Sequence, residues 1–139
     1  MDLLYNLSNL LVLPFWLLMI FAPHWQVTKS TLRSLWVILP PALLYTALIL
    51  PVLPALMALL ANPSLASIAS GLGTPLGATT VWAHLVTFDL FAGRWAYLDS
   101  RERRVSAWLA SPALLVILMF GPFGLLLYLL LRHAYRRDR

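Results

Sequence analysis

The chain has no cysteine in its 139 residues, which removes disulfides, thiolate nucleophiles and Cys-ligated metals. It also has little charge. Only 11% of its residues are charged, against about 25% in an ordinary soluble domain. Acid is the scarcer sign, with 5 Asp and Glu against 10 Lys and Arg. The three histidines, His24, His84 and His133, are scattered along the chain, so no metal site is expected. No glycine-rich nucleotide loop and no nucleophile–base motif occurs. The basic residues sit at the edges of apolar runs rather than in one stripe, which argues against a nucleic-acid partner.

What the chain does have is apolar surface: 61% hydrophobic residues and a mean hydropathy of +0.82. The expected fold class is all-α, a polytopic membrane protein forming one bundle of about four kinked transmembrane helices. Residues 1–139 make a single transmembrane domain with spans at about 3–22, 35–60, 76–98 and 107–131. The first run lacks the charged start and small-residue cleavage site of a signal peptide, so it is read as retained. Pro14 should kink it. Pro40, Pro41, Pro51 and Pro54 predict a bent or partly unwound second span. Residues 61–75 read as an uncharged turn-rich loop with a short interfacial helix near Leu65 to Ala69.

With four spans the charged loops at 23–33 and 99–106 share one side and the basic tail lies on the other. Six cations against four place those two loops in the cytoplasm. A re-entrant hairpin at Gly121-Pro122-Phe123-Gly124 would bring the tail to the same side. Its halves are short, however, and a single kinked span is the expectation.

The third run holds the unusual residues, in the stretch WAHLVTFDLFAGRWAYLD from Trp82 to Asp99. A helix over about 76–98 would be roughly 34 Å long, with Asp89 near its middle. An Asp at that depth costs about 2.5–3.5 kcal/mol on insertion scales, so a role for it is expected. Asp89 shares a helix face with Ala78, Trp82, Leu85, Ala92, Gly93 and Ala96, and the small residues among them suit close packing. Asn6 and Asn9 of the first span are its expected hydrogen-bond partners, with Tyr45 and Thr46 in reserve. His84, Phe88, Phe91 and Trp95 form a second stripe about 140° away. His84 and Asp89 are therefore not an intrahelical pair, nor are Asp89 and Arg94, five residues apart. Arg94 reads either as a functional cation or as a snorkelling topology anchor.

Three segments carry a family likeness: LPFWLLMIFAP with the downstream Thr28-Lys29, the Trp82–Asp99 stretch, and LMFGPFGLL. The sequence resembles the abscisic-acid-deficient-4-like membrane proteins, whose plant members are required for neoxanthin formation in plastids. The resemblance implies a four-span membrane protein linked to carotenoids, and it maps His84, Asp89, Arg94 and Asp99 onto the family's pattern. The expected function is modification or isomerisation of a carotenoid or xanthophyll, such as opening an epoxide to an allenic alcohol. That reaction needs an acid for the epoxide oxygen and a base for a polyene proton. Asp89, His84 and Arg94 are the candidate catalytic residues. Phe88, Phe91, Trp95, Trp82, Asn6 and Asn9 are the candidate ligand contacts.

No cofactor beyond the carotenoid itself, as substrate or bound pigment, is expected. Membrane lipid and carotenoid are the expected partners, with a homo-oligomer or a larger membrane assembly left open. The host would be a bacterial inner membrane or a photosynthetic membrane. The rival readings are a non-catalytic carotenoid- or quinone-binding scaffold or accessory subunit, and an ion or proton carrier.

Overall fold

The computed structural model describes residues 1–135, whose regular structure is all helical, with no strand among them. Eight α-helices form, together with two short 3-10 turns at Leu35–Ile38 and Leu50–Val52. They are α1 (Asp2–Phe21), α2 (Gln26–Arg33), α3 (Leu39–Ile49), α4 (Leu53–Ala61), α5 (Leu65–Leu72), α6 (Pro75–Glu102), α7 (Ala107–Phe120) and α8 (Pro122–Ala134).

Proline placement explains most of the boundaries. α3, α4, α6 and α8 each carry a proline in their first two positions, where its missing N–H costs nothing and its fixed φ suits the helix. The second apolar run is thus a broken rod, α3 and α4 joined through a 3-10 turn containing Pro51. α1 and α7 run through Pro14 and Pro112 without ending. The short helix expected in the uncharged loop is α5, started by a Ser64–Ser67 capping box. The loop read at 23–33 instead contains α2, which buries Thr28 and Leu32.

Among the described residues, two stretches are long and apolar enough to cross a membrane, Asp2–Phe21 and Leu35–Ala61. α6 has 28 residues, about 42 Å of helix. It is the axis of the bundle, packed by α1, α3, α7 and α8. α1 runs parallel to it: Asn9 meets Trp82 near one end, Trp16 lies over Gly93, and Pro23 meets Tyr97 at the other. A Cβ on Gly93 would overlap the Trp16 ring, so the absent side chain sets how closely the two helices approach. Trp16, Met19, Leu90, Tyr97, Leu114, Ile117 and Tyr128 build the core. Large apolar side chains such as Leu3, Phe21, Leu43, Met57, Phe88 and Leu130 cover the outside.

The last apolar run departs from expectation: it is a helical hairpin, not one kinked span. α7 enters beside α6 and ends at Gly121, which lies against Asp89 at the middle of α6. α8 then returns, so that Tyr128 and Arg132 reach Asp99, back at the end where α7 began. Gly121 makes the reversal with φ +46°, a conformation that L side chains rarely adopt. Gly124 lets α8 lie against the α7 backbone, since a Cβ there would overlap Val116 and Ile117. The hairpin brings Arg132 to the end of the bundle that holds Lys29, Arg33, Arg101, Arg103 and Arg104. The expected placement of Arg132 at the opposite end from those cations rested on a single last span and does not hold.

Candidate functional site

Asp89 faces inward, as its small neighbours on α6 suggest. It lies on the wall of a cavity of about 440 Å³ between α1, α6 and the tip of the α7–α8 hairpin. Asn9, Trp16, Trp82, Phe120 and Gly121 share that wall, which is mostly apolar. A Cβ on Gly121 would come 2.7 Å from Asp89 Oδ1, so only glycine lets the hairpin tip reach the carboxylate. Among the described residues none donates a hydrogen bond to Asp89.

The partners expected for Asp89 are engaged elsewhere. Asn9 lines the cavity, but its Nδ2 donates to the Tyr5 carbonyl at 3.1 Å and its Oδ1 accepts from Trp82 Nε1 at 2.9 Å. Asn6 is exposed outside it. Tyr45 packs against His84, and Thr46 Oγ1 donates to the Ala42 carbonyl. The reason is depth and direction. Asn6 lies a turn too near the chain start, and Tyr45 and Thr46 belong to α3, on the far side of α6.

The other candidates do not converge on Asp89. His84 stacks between Tyr45 and Phe88, with ring centroids 5.3 and 4.7 Å away, on the α3 side of the axis. Arg94 donates from Nη2 to the Arg33 carbonyl at 2.8 Å and so ties α6 to the end of α2. Its Nε is buried without a partner. The aromatic stripe is divided among three surroundings. Phe88 is 61% exposed, Phe91 lines an apolar groove of about 420 Å³ with Leu35, Trp36 and Leu39, and Trp95 meets Tyr128 edge-on. Trp82 is the one candidate ligand contact besides Asn9 that belongs to the Asp89 cavity.

A second carboxylate, Asp99, was matched to the family pattern but not placed among the candidate site residues. It sits in the last turns of α6 with its side chain 13% exposed, and both of its oxygens accept hydrogen bonds. Arg103 Nε donates to both of its oxygens at 3.0 and 2.9 Å. Tyr128 Oη donates at 2.7 Å and Arg132 Nε at 2.9 Å, both to Oδ2. Arg132 also lies 5.7 Å over the Trp95 ring. Burial alone would raise the Asp99 carboxyl, but the hydrogen bonds from Arg132, Tyr128 and Arg103 and the Arg132 charge hold it below the usual carboxylate range. The Arg103 contact is a four-residue helical spacing readable from the chain. Those from Tyr128 and Arg132 exist only because the last run doubles back.

The fold and the site define a helical bundle in which one half-sequestered carboxylate faces an apolar cavity and another is locked by cations at the bundle's basic end. The chain belongs to the ABA DEFICIENT 4-like family, whose sequence model matches residues 3–128. It is similar to Protein ABA DEFICIENT 4, chloroplastic, of Arabidopsis thaliana, at 29% identity over 120 residues. That alignment covers 82% of this chain and 53% of the relative, so the chain spans about half the length of the curated protein it matches. No solved structure matches it.

Proposed function

We propose that this chain is an integral membrane protein of carotenoid metabolism that isomerises a xanthophyll end group in the Asp89 cavity. The observation that carries the reading is Asp89 itself, a carboxyl group in an apolar cavity with no hydrogen bond from a described residue. Family membership supports the carotenoid class of substrate, and two apolar stretches of spanning length support the membrane. In this reading α1, the α3–α4 run and α6 cross the bilayer, and α7–α8 enters and leaves by the basic end. The basic end then faces the cytoplasm or the compartment equivalent to it.

The proposed chemistry uses one carboxyl rather than an Asp–His pair, because His84 lies on another face. One oxygen of protonated Asp89 delivers its proton to the epoxide oxygen as the C–O bond breaks. The other oxygen removes a proton from the adjoining polyene carbon, whose C–H electrons form the new double bond. An allenic alcohol results, Asp89 ends protonated, and no oxidant or reductant is consumed. The cavity walls exclude water, which would otherwise open the same epoxide to a diol. Trp82, held by Asn9, forms part of the cavity wall.

Chromatography of pigments from a deletion strain, complemented with the wild-type or the Asp89→Asn chain, tests the reading. The substrate should accumulate in the deletion strain and in the Asp89→Asn strain, and the product should return with the wild type. Unchanged pigments in the deletion strain overturn the carotenoid assignment. A second reading, a pigment- or quinone-binding protein without turnover, is favoured by the Phe91 groove, which is apolar and open at the side. Pigment that co-purifies stoichiometrically and is never converted would select it.

A further inference from the structure

Three cations at or near the basic end are spent inside the fold. Arg103 and Arg132 close on Asp99, and Arg94 closes on the Arg33 carbonyl. Lys29, Arg33, Arg101 and Arg104 have no carboxylate within ion-pair distance among the described residues. Lys29, Arg33 and Arg101 line a cavity of about 400 Å³, and Lys29, Arg101, Arg104 and His24 line an adjoining one of about 580 Å³. Lys29 and Arg101 belong to both, so the two are halves of one basic recess. Among the described residues, Glu102 is the one acid on its walls. Arg101 is held in place, donating from Nη2 to the Val105 carbonyl at 2.8 Å. The framework beneath is fixed as well, by Tyr97 Oη donating to the Pro23 carbonyl at 2.8 Å.

Trp25, Trp36 and Trp108 lie around the same end, 55%, 74% and 89% exposed. Indole rings concentrate at the headgroup level of a bilayer, apolar body inward and N–H toward water. Three exposed rings beside unpaired cations therefore set the depth of this recess at the headgroup layer. Four cations against one acid then face the layer where lipid phosphates lie.

We infer that the recess formed by Lys29, Arg33, Arg101 and Arg104 binds the phosphate headgroup of an anionic lipid. Lys29 and Arg101, common to both halves, flank the phosphate, while Arg33 and Arg104 receive it from either side. The acyl chains leave along the exposed Trp108 side, onto the apolar surface of α7. A zwitterionic headgroup fits less well, because its ammonium would be brought among the same cations. The inference rests on the membrane-spanning reading and not on the carotenoid chemistry, so lipid retention and pigment conversion fail independently.

The test uses the full chain in nanodiscs of phosphatidylcholine mixed with phosphatidylglycerol, followed by native mass spectrometry of the lipid retained on release. Phosphatidylglycerol should be enriched about tenfold over phosphatidylcholine, and Lys29→Gln/Arg104→Gln should reduce the enrichment to about parity. Neither side chain makes a hydrogen bond to another described residue, and an unchanged melting temperature would confirm that the variant is folded. Removing two tail charges instead, with Arg136→Gln/Arg137→Gln, should leave the enrichment in place. Equal retention of the two lipids overturns the inference, as does equal loss in the tail variant, which would mean diffuse charge. Free inorganic phosphate that strips the lipid and binds as tightly would identify a soluble oxyanion as the ligand and also overturn it.

Discussion

Asp89 and Asp99 lie on one helix, about 15 Å apart along its axis, and the fold treats them in opposite ways. Asp99 takes hydrogen bonds from three side chains, two of them cations. Asp89 takes none from the described residues and borders a cavity. A carboxylate with its lone pairs occupied holds helices together and has little left to give a substrate. One aimed into an apolar space adds nothing to packing, so its retention there calls for another explanation. The same hairpin produces both outcomes, its glycine tip beside Asp89 and its basic end upon Asp99.

The sharpest way to break the contrast is Asp89→Asn. Shape and insertion are preserved while the exchangeable proton is lost, and conversion should fall about 10³-fold at normal abundance. Loss of the protein from the membrane would instead make Asp89 a packing residue like Asp99. Next in size is Gly121→Leu/Gly124→Leu, which forces a side chain into the left-handed reversal and another into the α7 backbone. A destabilisation of about 4 kcal/mol is expected, read as loss of the folded chain in detergent melts. Normal melting would show that the hairpin can form without its glycines.

Asp99→Asn should cost less, about 2 kcal/mol, because Arg132 remains partly exposed to solvent screening. The clamp also carries a pH signature. The folded Asp99 carboxyl lies below the unfolded value of 3.8, so its stabilisation is present above that value and is lost as pH falls through the folded pKa. Melting curves from pH 7 down to pH 3 should show an acid-induced fall that is smaller in Asp99→Asn. An identical fall in both would detach acid stability from this cluster. The smallest expected effect is that of His84→Gln, whose ring stacks on the opposite side of α6 from the cavity. Conversion should stay within about twofold of wild type. A loss as large as that of Asp89→Asn would restore a two-residue acid–base pair.

Much of the architecture was legible in the chain. Long apolar runs announced helices, the proline positions announced the broken second run, and the spacing of Ala92, Gly93 and Ala96 around Asp89 announced an inward face. The same angular count showed that His84 and Asp89 point apart. The pairing of Asp89 with Asn9 was not legible as wrong, because Asn9 does reach the right cavity. The Tyr5 carbonyl takes its N–H and Trp82 its carbonyl instead, and one-dimensional spacing cannot rank partners that become neighbours only after helices pack.

The sequence by itself determined helix content, the depth of Asp89 on its helix, and the contact of Asp99 with Arg103, all consequences of a 3.6-residue repeat and local proline chemistry. Whether Gly121 bends a span or reverses it depended on nonlocal packing: α8 against α7 at Gly124, and Tyr128 and Arg132 onto Asp99 across some thirty residues of chain. Those contacts join residues far apart in sequence, so no local pattern encodes them. Tertiary structure alone therefore decided on which side the last helix ends, which carboxylate is locked, and which cations at the basic end have no ion pair among the described residues.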